Sequence, residues 1–243
     1  MKNINRAMIL AAGFGLRLRP ITNNIPKPLV KVLGRSLIDR TIDRLKEGGV
    51  QTFVVNTHHL SEQIHKHLNN RSDVEIIFSL EIEILETGGG ITNALKNFNN
   101  EPFFTSNGDT LWLNGAQDAV TRMVNQWDSN KMDALLMLHS TVNAYGYEGL
   151  GDFNMDPNGV LSRRPESEVS PYLFTGVQIL HPKLFMGTPK GAFSLNLLYD
   201  RAIQNGRLYG IVHDGEWFHI GTPEALDEAE DYMRKRYSGT KRR

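Results

Sequence analysis

The sequence predicts an α/β fold, a single domain built on a mixed, mainly parallel sheet flanked by helices, and three observations point there. The length, 243 residues, suits one such domain with a sizeable core. Through His139, short apolar runs alternate with segments of helical period, the pattern of βαβ crossovers. Past Asn143, short runs are separated by Gly- and Pro-containing turns, which suits an antiparallel extension of the sheet.

The elements follow in order. Ala7–Ala12 reads as a buried strand, and Ser36–Glu47 as a helix ended by Gly48–Gly49. Thr52–Asn56 is a second strand, followed by a polar helix to about Asn69, and Val74–Phe78 is a third. Gly90–Asn97 reads as a helix, Pro102–Asn107 as a fourth strand and Asp133–His139 as a fifth. "YLFTGVQIL" and "LYGIV" supply the later strands. Thr222 caps a last helix with Pro223 at its first position. The domain is expected to run over residues 1–236, with a frayed basic tail at 237–243.

Composition narrows the function. Charged residues are 22% of the chain and balance to zero, so nothing global points to nucleic acid. With no cysteine, disulfides and thiolate metal sites drop out. No apolar run approaches the ~20 residues of a membrane span, and "MKNINR" lacks the apolar stretch of a secretory signal. The expectation is a cytoplasmic protein that meets neither membrane nor nucleic acid.

The positive charge that matters is local. Between Arg6 and Asp39 stand five basic residues (Arg17, Arg19, Lys27, Lys31, Arg35) and no acid. Gly13 and Gly15 let backbone N–H groups approach a ligand. Such a loop, at the carboxyl end of the first strand of a Rossmann-like sheet, lies where open sheets bind ligands. A polyphosphate fits it. A dinucleotide fingerprint does not, because Leu18 stands where its third glycine belongs and Pro20 interrupts; a Walker loop lacks its Gly-Lys-Ser/Thr. His58 and His59 read as ordinary loop residues.

The stretch "LAAGFGLRLRPITNNIPKPLV" (residues 10–30) resembles the long signature of the sugar-1-phosphate nucleotidyltransferases. "LETGGG" (85–90), "NGD" (107–109), "FTGVQIL" (174–180) and "WFHIGTP" (217–223) follow in the order of that family. The short length and "LETGGG" are most similar to the N-acetylmuramate-1-phosphate uridylyltransferases, with mannose-1-phosphate guanylyltransferases next. The resemblance implies the nucleotide-diphospho-sugar transferase type of fold. It also implies reaction of a nucleoside triphosphate with a sugar 1-phosphate, Mg²⁺ as cofactor, and a monomer or homodimer.

It further implies roles for residues. Arg17 would clamp the departing phosphates, Lys27 would face the α-phosphate or sugar phosphate, and Asp109 would hold Mg²⁺. Nucleotide contacts would come from Ala11, Ala12, Gly13, Gly15, Glu83, Thr87, Gly88 and Asn107. Sugar contacts would come from Asn107, Asp152, Thr175 and Gly176, with Arg164 near the sugar phosphate. One departure stands out: His219 occupies a position where the family usually has a second metal-binding aspartate. Either the metal relies on Asp109 with phosphates and waters, or another acid, Asp152 or Asp214, substitutes; His219 itself is a candidate ligand beside Asp109, or merely hydrogen-bonds a neighbour. The same departure leaves open a binding protein without catalysis; retention of Arg17, Lys27 and Asp109 argues for an enzyme. Glu86, where guanylyltransferases usually show "LGTAG", favours uridylyl transfer.

Overall fold

A computed structural model describes residues 4–239. The strands are β1 (Arg6–Leu10), β2 (Lys31–Val32), β3 (Arg35–Ser36), β4 (Thr52–Thr57), β5 (Glu75–Leu80), β6 (Phe103–Asn107) and β7 (Leu111–Leu113). The second half adds β8 (Ala134–Ser140), β9 (Phe153–Met155), β10 (Leu161–Arg163), β11 (Tyr172–Leu180), β12 (Leu208–Val212) and β13 (Glu216–Phe218). The helices are α1 (Leu37–Glu47), α2 (Ser61–Leu68), α3 (Glu86–Ala94), α4 (Ala119–Gln126), α5 (Asn196–Gln204) and α6 (Pro223–Gly239). Strands β5, β4, β1 and β6 lie side by side and parallel. Beyond β6 the sheet turns mixed: β11 pairs antiparallel with β6 and β8, and β12 closes that side parallel to β8. The expected parallel half with an antiparallel extension is what forms.

Period-two alternation decides which residue faces which layer. Ile9, Phe53, Val55 and Leu135 enter a core shared with α1, α2 and α4. Their neighbours Met8, Val54 and Leu136 enter the opposite core, with Ile91 of α3 and Tyr199 of α5. Because both faces are covered, β4 is buried along its whole length, with Phe53, Val54 and Val55 apolar on both faces. A third cluster joins Leu18 and Val30 of the opening loop to Phe218 and Ile220 and to Ala229 and Met233 of α6. It ties the basic loop to the β7–β13 ribbon.

Among the boundaries that differ from expectation, two have a clear physical reason. Strand β1 stops at Leu10 because the Ala11 N–H leaves the ladder for Asn56 Oδ1 at 2.9 Å. Helix α3 begins at Glu86, so the glycines expected to precede it lie inside it. Glycine there is required by close approach: a Cβ on Gly88 would lie 2.3 Å from the Phe193 ring, and one on Gly90 2.6 Å from Glu81 Oε1. Helix α6 continues through residues 237–239 of the expected tail, and residues 240–243 lie outside the described residues. The expected cap of α6 forms, Thr222 Oγ1 accepting from Ala225 N at 3.3 Å.

An ion network clamps α1 to the end of α2. Arg71 reaches Asp39 at 3.2 Å, Asp43 at 2.8 Å and Asp73 at 2.7 Å, while His67 Nε2 lies 2.7 Å from Asp39. Ser36 Oγ also touches Asp39, but the same His67 nitrogen faces both oxygens, so no serine–histidine–aspartate relay exists here. Burial pushes the Asp39 carboxyl up, yet Ser36, His67 and Arg71 together outweigh it and hold it below the ordinary range. A depressed carboxyl contributes stability that is full above its unfolded value of ~3.9 and is lost as pH falls through its folded value. Asp39→Asn should therefore flatten the decline of melting temperature below about pH 4; an unchanged slope would remove Asp39 from the acid response.

Candidate active site

A cavity of about 480 Å³ opens at the carboxyl ends of β1, β4, β5 and β6. Its floor is a hydrogen-bonded chain. Ala11 N–H donates to Asn56 Oδ1 at 2.9 Å, Asn56 Nδ2 donates to Glu81 Oε1 at 2.7 Å, and Leu85 N–H donates to Glu81 Oε2 at 3.0 Å. Asn56 and Glu81 are both buried. The chain joins the ends of β1, β4 and β5 to the start of α3, and it fixes the opposite walls relative to each other.

One wall is the basic loop, folded as three consecutive 3₁₀ turns at Leu16–Leu18, Ile21–Asn23 and Lys27–Leu29. Gly15 has φ +66°, and a Cβ there would press on Lys27 Cβ at 3.0 Å and Thr22 Cγ2 at 3.2 Å. Glycine at this position seats the lysine. Leu18 is buried and anchors the first turn, while Arg17 is exposed at the cavity and has no acidic partner among the described residues. Gly13 meets nothing within 4 Å of a Cβ, so its backbone faces open space.

Opposite stands Asp109, two residues past β6. Gly108 N–H donates to Leu10 O at 2.9 Å, which holds the Asn107–Asp109 turn against the end of β1. Asp109 Oδ2 lies 2.6 Å from Lys27 Nζ, and the two side chains are 28% and 13% exposed. The β7–β13 register pairs Phe218 with Leu111, which carries His219 alongside this turn. Burial, then the Arg17 and Lys27 cations, push the His219 imidazole below its ordinary range against the opposing pull of Asp109. The shift favours the neutral imidazole, with one N–H and one lone pair.

The structure therefore brings Ala11, Ala12, Gly13, Gly15, Arg17, Lys27, Thr87, Asn107 and Asp109 to one cavity. Other expected contacts have different employment. Gly88 N–H is spent on Phe193 O at 2.9 Å, and Thr87 Oγ1 accepts from Leu195 N at 2.9 Å. Glu83 is exposed outside the cavity, and Glu81, two residues earlier, lines it instead. Thr175 is buried and its hydroxyl donates to Met137 O at 2.7 Å. Gly176, φ +89°, backs Asn107: a Cβ would lie 2.7 Å from Asn107 Nδ2. Asp152 Oδ2 accepts from Phe174 N at 2.8 Å.

Arg164 is committed to the carbonyls of Pro165, Glu166 and Glu168, each at 2.8 Å, rather than aimed at a sugar phosphate. Asp214 pairs with Arg122 at 2.7 Å and lines no part of this cavity, so neither it nor Asp152 supplies a second carboxylate beside Asp109. His58 and His59 pack against Phe14, as loop residues do. Asn56, Glu81 and Ile84 also line the cavity. The signal for the first two was position, each standing at the carboxyl end of a parallel strand.

Among the described residues, no group of three or more His, Cys, Asp or Glu could hold a metal by itself. A carboxylate beside a basic loop nevertheless fits Mg²⁺, which takes one or two carboxylates and completes its shell with other oxygen ligands and water. Asp109 is that carboxylate. His219, a neutral nitrogen donor, suits so hard an ion poorly.

The nucleotidyl transferase family model matches residues 6–236. The N-acetylmuramate alpha-1-phosphate uridylyltransferase of Caulobacter vibrioides is 39% identical over 229 residues, covering 92% of this chain and 95% of that protein. The protein of the same name from Neisseria meningitidis is 35% identical, covering 93% and 96%. The crystal structure of HddC from Yersinia pseudotuberculosis complexed with GMP-PN superposes with a TM-score of 0.76 at 24% identity, covering 95% of this chain and all of that one. At that identity the likeness speaks for the fold. Among the described residues no helix is long and apolar enough to cross a membrane.

Proposed function

Because the chain belongs to the nucleotidyl transferase family and is a nucleotidyltransferase of the sugar-1-phosphate class, we propose that it converts UTP and N-acetylmuramate 1-phosphate into UDP-N-acetylmuramate and pyrophosphate. The observation that carries this reading is the convergence of Arg17, Lys27 and Asp109 on one cavity at the sheet's carboxyl edge. The full-length likeness to the Caulobacter and Neisseria enzymes supports the choice of base and sugar. The reaction would belong to cell-wall recycling in the cytoplasm.

An oxygen of the sugar phosphate attacks the α-phosphorus in line; the bond from that phosphorus to the α–β bridging oxygen breaks, and pyrophosphate leaves with the electron pair. Two anions must meet, so the protein's work is positioning and charge neutralisation. Arg17 offers its planar fork to the leaving phosphates. Lys27 exchanges Asp109 for an oxygen of the reacting phosphates. Backbone around Gly13 approaches the nucleotide without side-chain hindrance, and Asn107, backed by Gly176, faces the acceptor side. Mg²⁺ at Asp109 would neutralise phosphate charge and orient the phosphates.

The test is pyrophosphate release with Mg²⁺ across a panel of nucleoside triphosphates and sugar 1-phosphates. UTP with N-acetylmuramate 1-phosphate should give the highest kcat/KM. A maximum for GTP with mannose 1-phosphate would overturn both base and sugar.

His219 yields a second expectation. Its side chain accepts and donates no hydrogen bond to the described residues, so replacing it removes no protein contact of that kind. His219→Asp should be tolerated and should lower the Mg²⁺ concentration for half-maximal turnover, since carboxylate suits this ion better. Collapse of activity at unchanged Mg²⁺ dependence would assign the imidazole a direct contact to substrate instead.

A further inference from the structure

Lys27 occupies the approach to Asp109. The ammonium sits 2.6 Å from Oδ2, and neither side chain is more than 28% exposed. Arg17 faces the same cavity without an acidic partner among the described residues, and the floor carboxylate of Glu81 is spent on Asn56 and the Leu85 N–H. A divalent cation approaching Asp109 alone meets a carboxylate already neutralised by Lys27, and the Arg17 cation besides. A polyphosphate changes this balance, because its oxygens offer Lys27 and Arg17 better partners and bring ligands for the cation.

We propose that Lys27 is a latch on Asp109: the free protein discriminates against divalent cations, and cation and nucleotide bind with mutual positive coupling. The inference rests on the reading of Asp109 as the cation's carboxylate. The pairing is an exchange. Lys27 leaves Asp109 for phosphate as the cation takes Asp109, so each ligand lowers the cost of admitting the other. Reciprocity follows from thermodynamics: the factor by which nucleotide raises cation affinity equals the factor by which cation raises nucleotide affinity. The cation and the nucleotide then enter most readily as one complex.

The experiment uses Mn²⁺ as a paramagnetic probe of the whole protein, with free Mn²⁺ read by electron paramagnetic resonance and no turnover required. Mn²⁺ alone should bind the wild type weakly, and Lys27→Met should bind it at least ~10-fold more tightly, within the usual range of coupling. Lys27→Gln should do the same, and melting curves of both variants establish that they fold. Binding of a non-hydrolysable UTP analogue, followed by calorimetry with and without Mn²⁺, should show the cation's enhancement shrinking in Lys27→Met. Equal Mn²⁺ affinity in wild type and both folded variants would overturn the latch. Tight binding in Lys27→Met that survives in Lys27→Met/Asp109→Asn would place the cation elsewhere and overturn the reading of Asp109 as well.

Discussion

Asp109→Asn should lower kcat by about 10³-fold or more, the scale of losing a fixed charge where phosphoryl charge develops. The amide keeps the shape of the side chain but can neither neutralise a divalent cation nor balance Lys27, whose Nζ is its partner at 2.6 Å. The turn itself is held by backbone, Gly108 N–H to Leu10 O, so the fold should survive. The kinetic signature is a fall in kcat much larger than any rise in KM, because the nucleotide retains Arg17 and the released Lys27. Pyrophosphate release, measured beside circular dichroism and a melting curve, reads this directly. Turnover within tenfold of wild type at ordinary Mg²⁺ would remove Asp109 from the reaction.

Arg17→Ala should cost kcat/KM about 10²-fold or more, the scale of a lost charge-stabilising donor. The side chain is exposed and pairs with no acid among the described residues, and the neighbouring Leu18 holds the turn in the core, so truncation leaves packing untouched. Arg17→Lys should recover part of the loss only, because an ammonium lacks the guanidinium's paired donors. Near-normal turnover in a folded Arg17→Ala protein would mean that the leaving phosphates are bound elsewhere.

Much of the fold was legible because its strands alternate between two buried layers. The pattern of Met8 against Ile9, or Val54 against Phe53 and Val55, carries the sheet. The basic loop was legible because it lacks acids. What escaped depended on distant partners. Glu81 and Glu83 share a parity, and only the ladder bond from Glu81 N–H to Thr57 O, with Asn56 beside it, selects Glu81 for the floor. The early start of α3 depends on the Phe193 carbonyl, far along the chain. Thr175 looked available for a sugar hydroxyl, yet the irregularity of β11 between Phe174 and Gln178 turns its hydroxyl onto β8. The ion pair of Lys27 with Asp109 is hidden in the sequence because its partners are far apart along the chain and each residue type suits a ligand of its own.

The hydrogen-bonded floor also bears on how such a protein can be redesigned. Asn56 uses both ends of its amide and Glu81 both oxygens, and Gly90 leaves no room for a methyl group against them. Glutamine at 81 would set an N–H against a donor, and alanine at 90 would push on the carboxylate, so single exchanges at these positions fail where matched ones can succeed. Positions 56, 81 and 90 form one structural unit. A library aimed at new nucleotides should hold all three fixed and diversify Ile84, Glu86 and Thr87, which line the same cavity outside that chain.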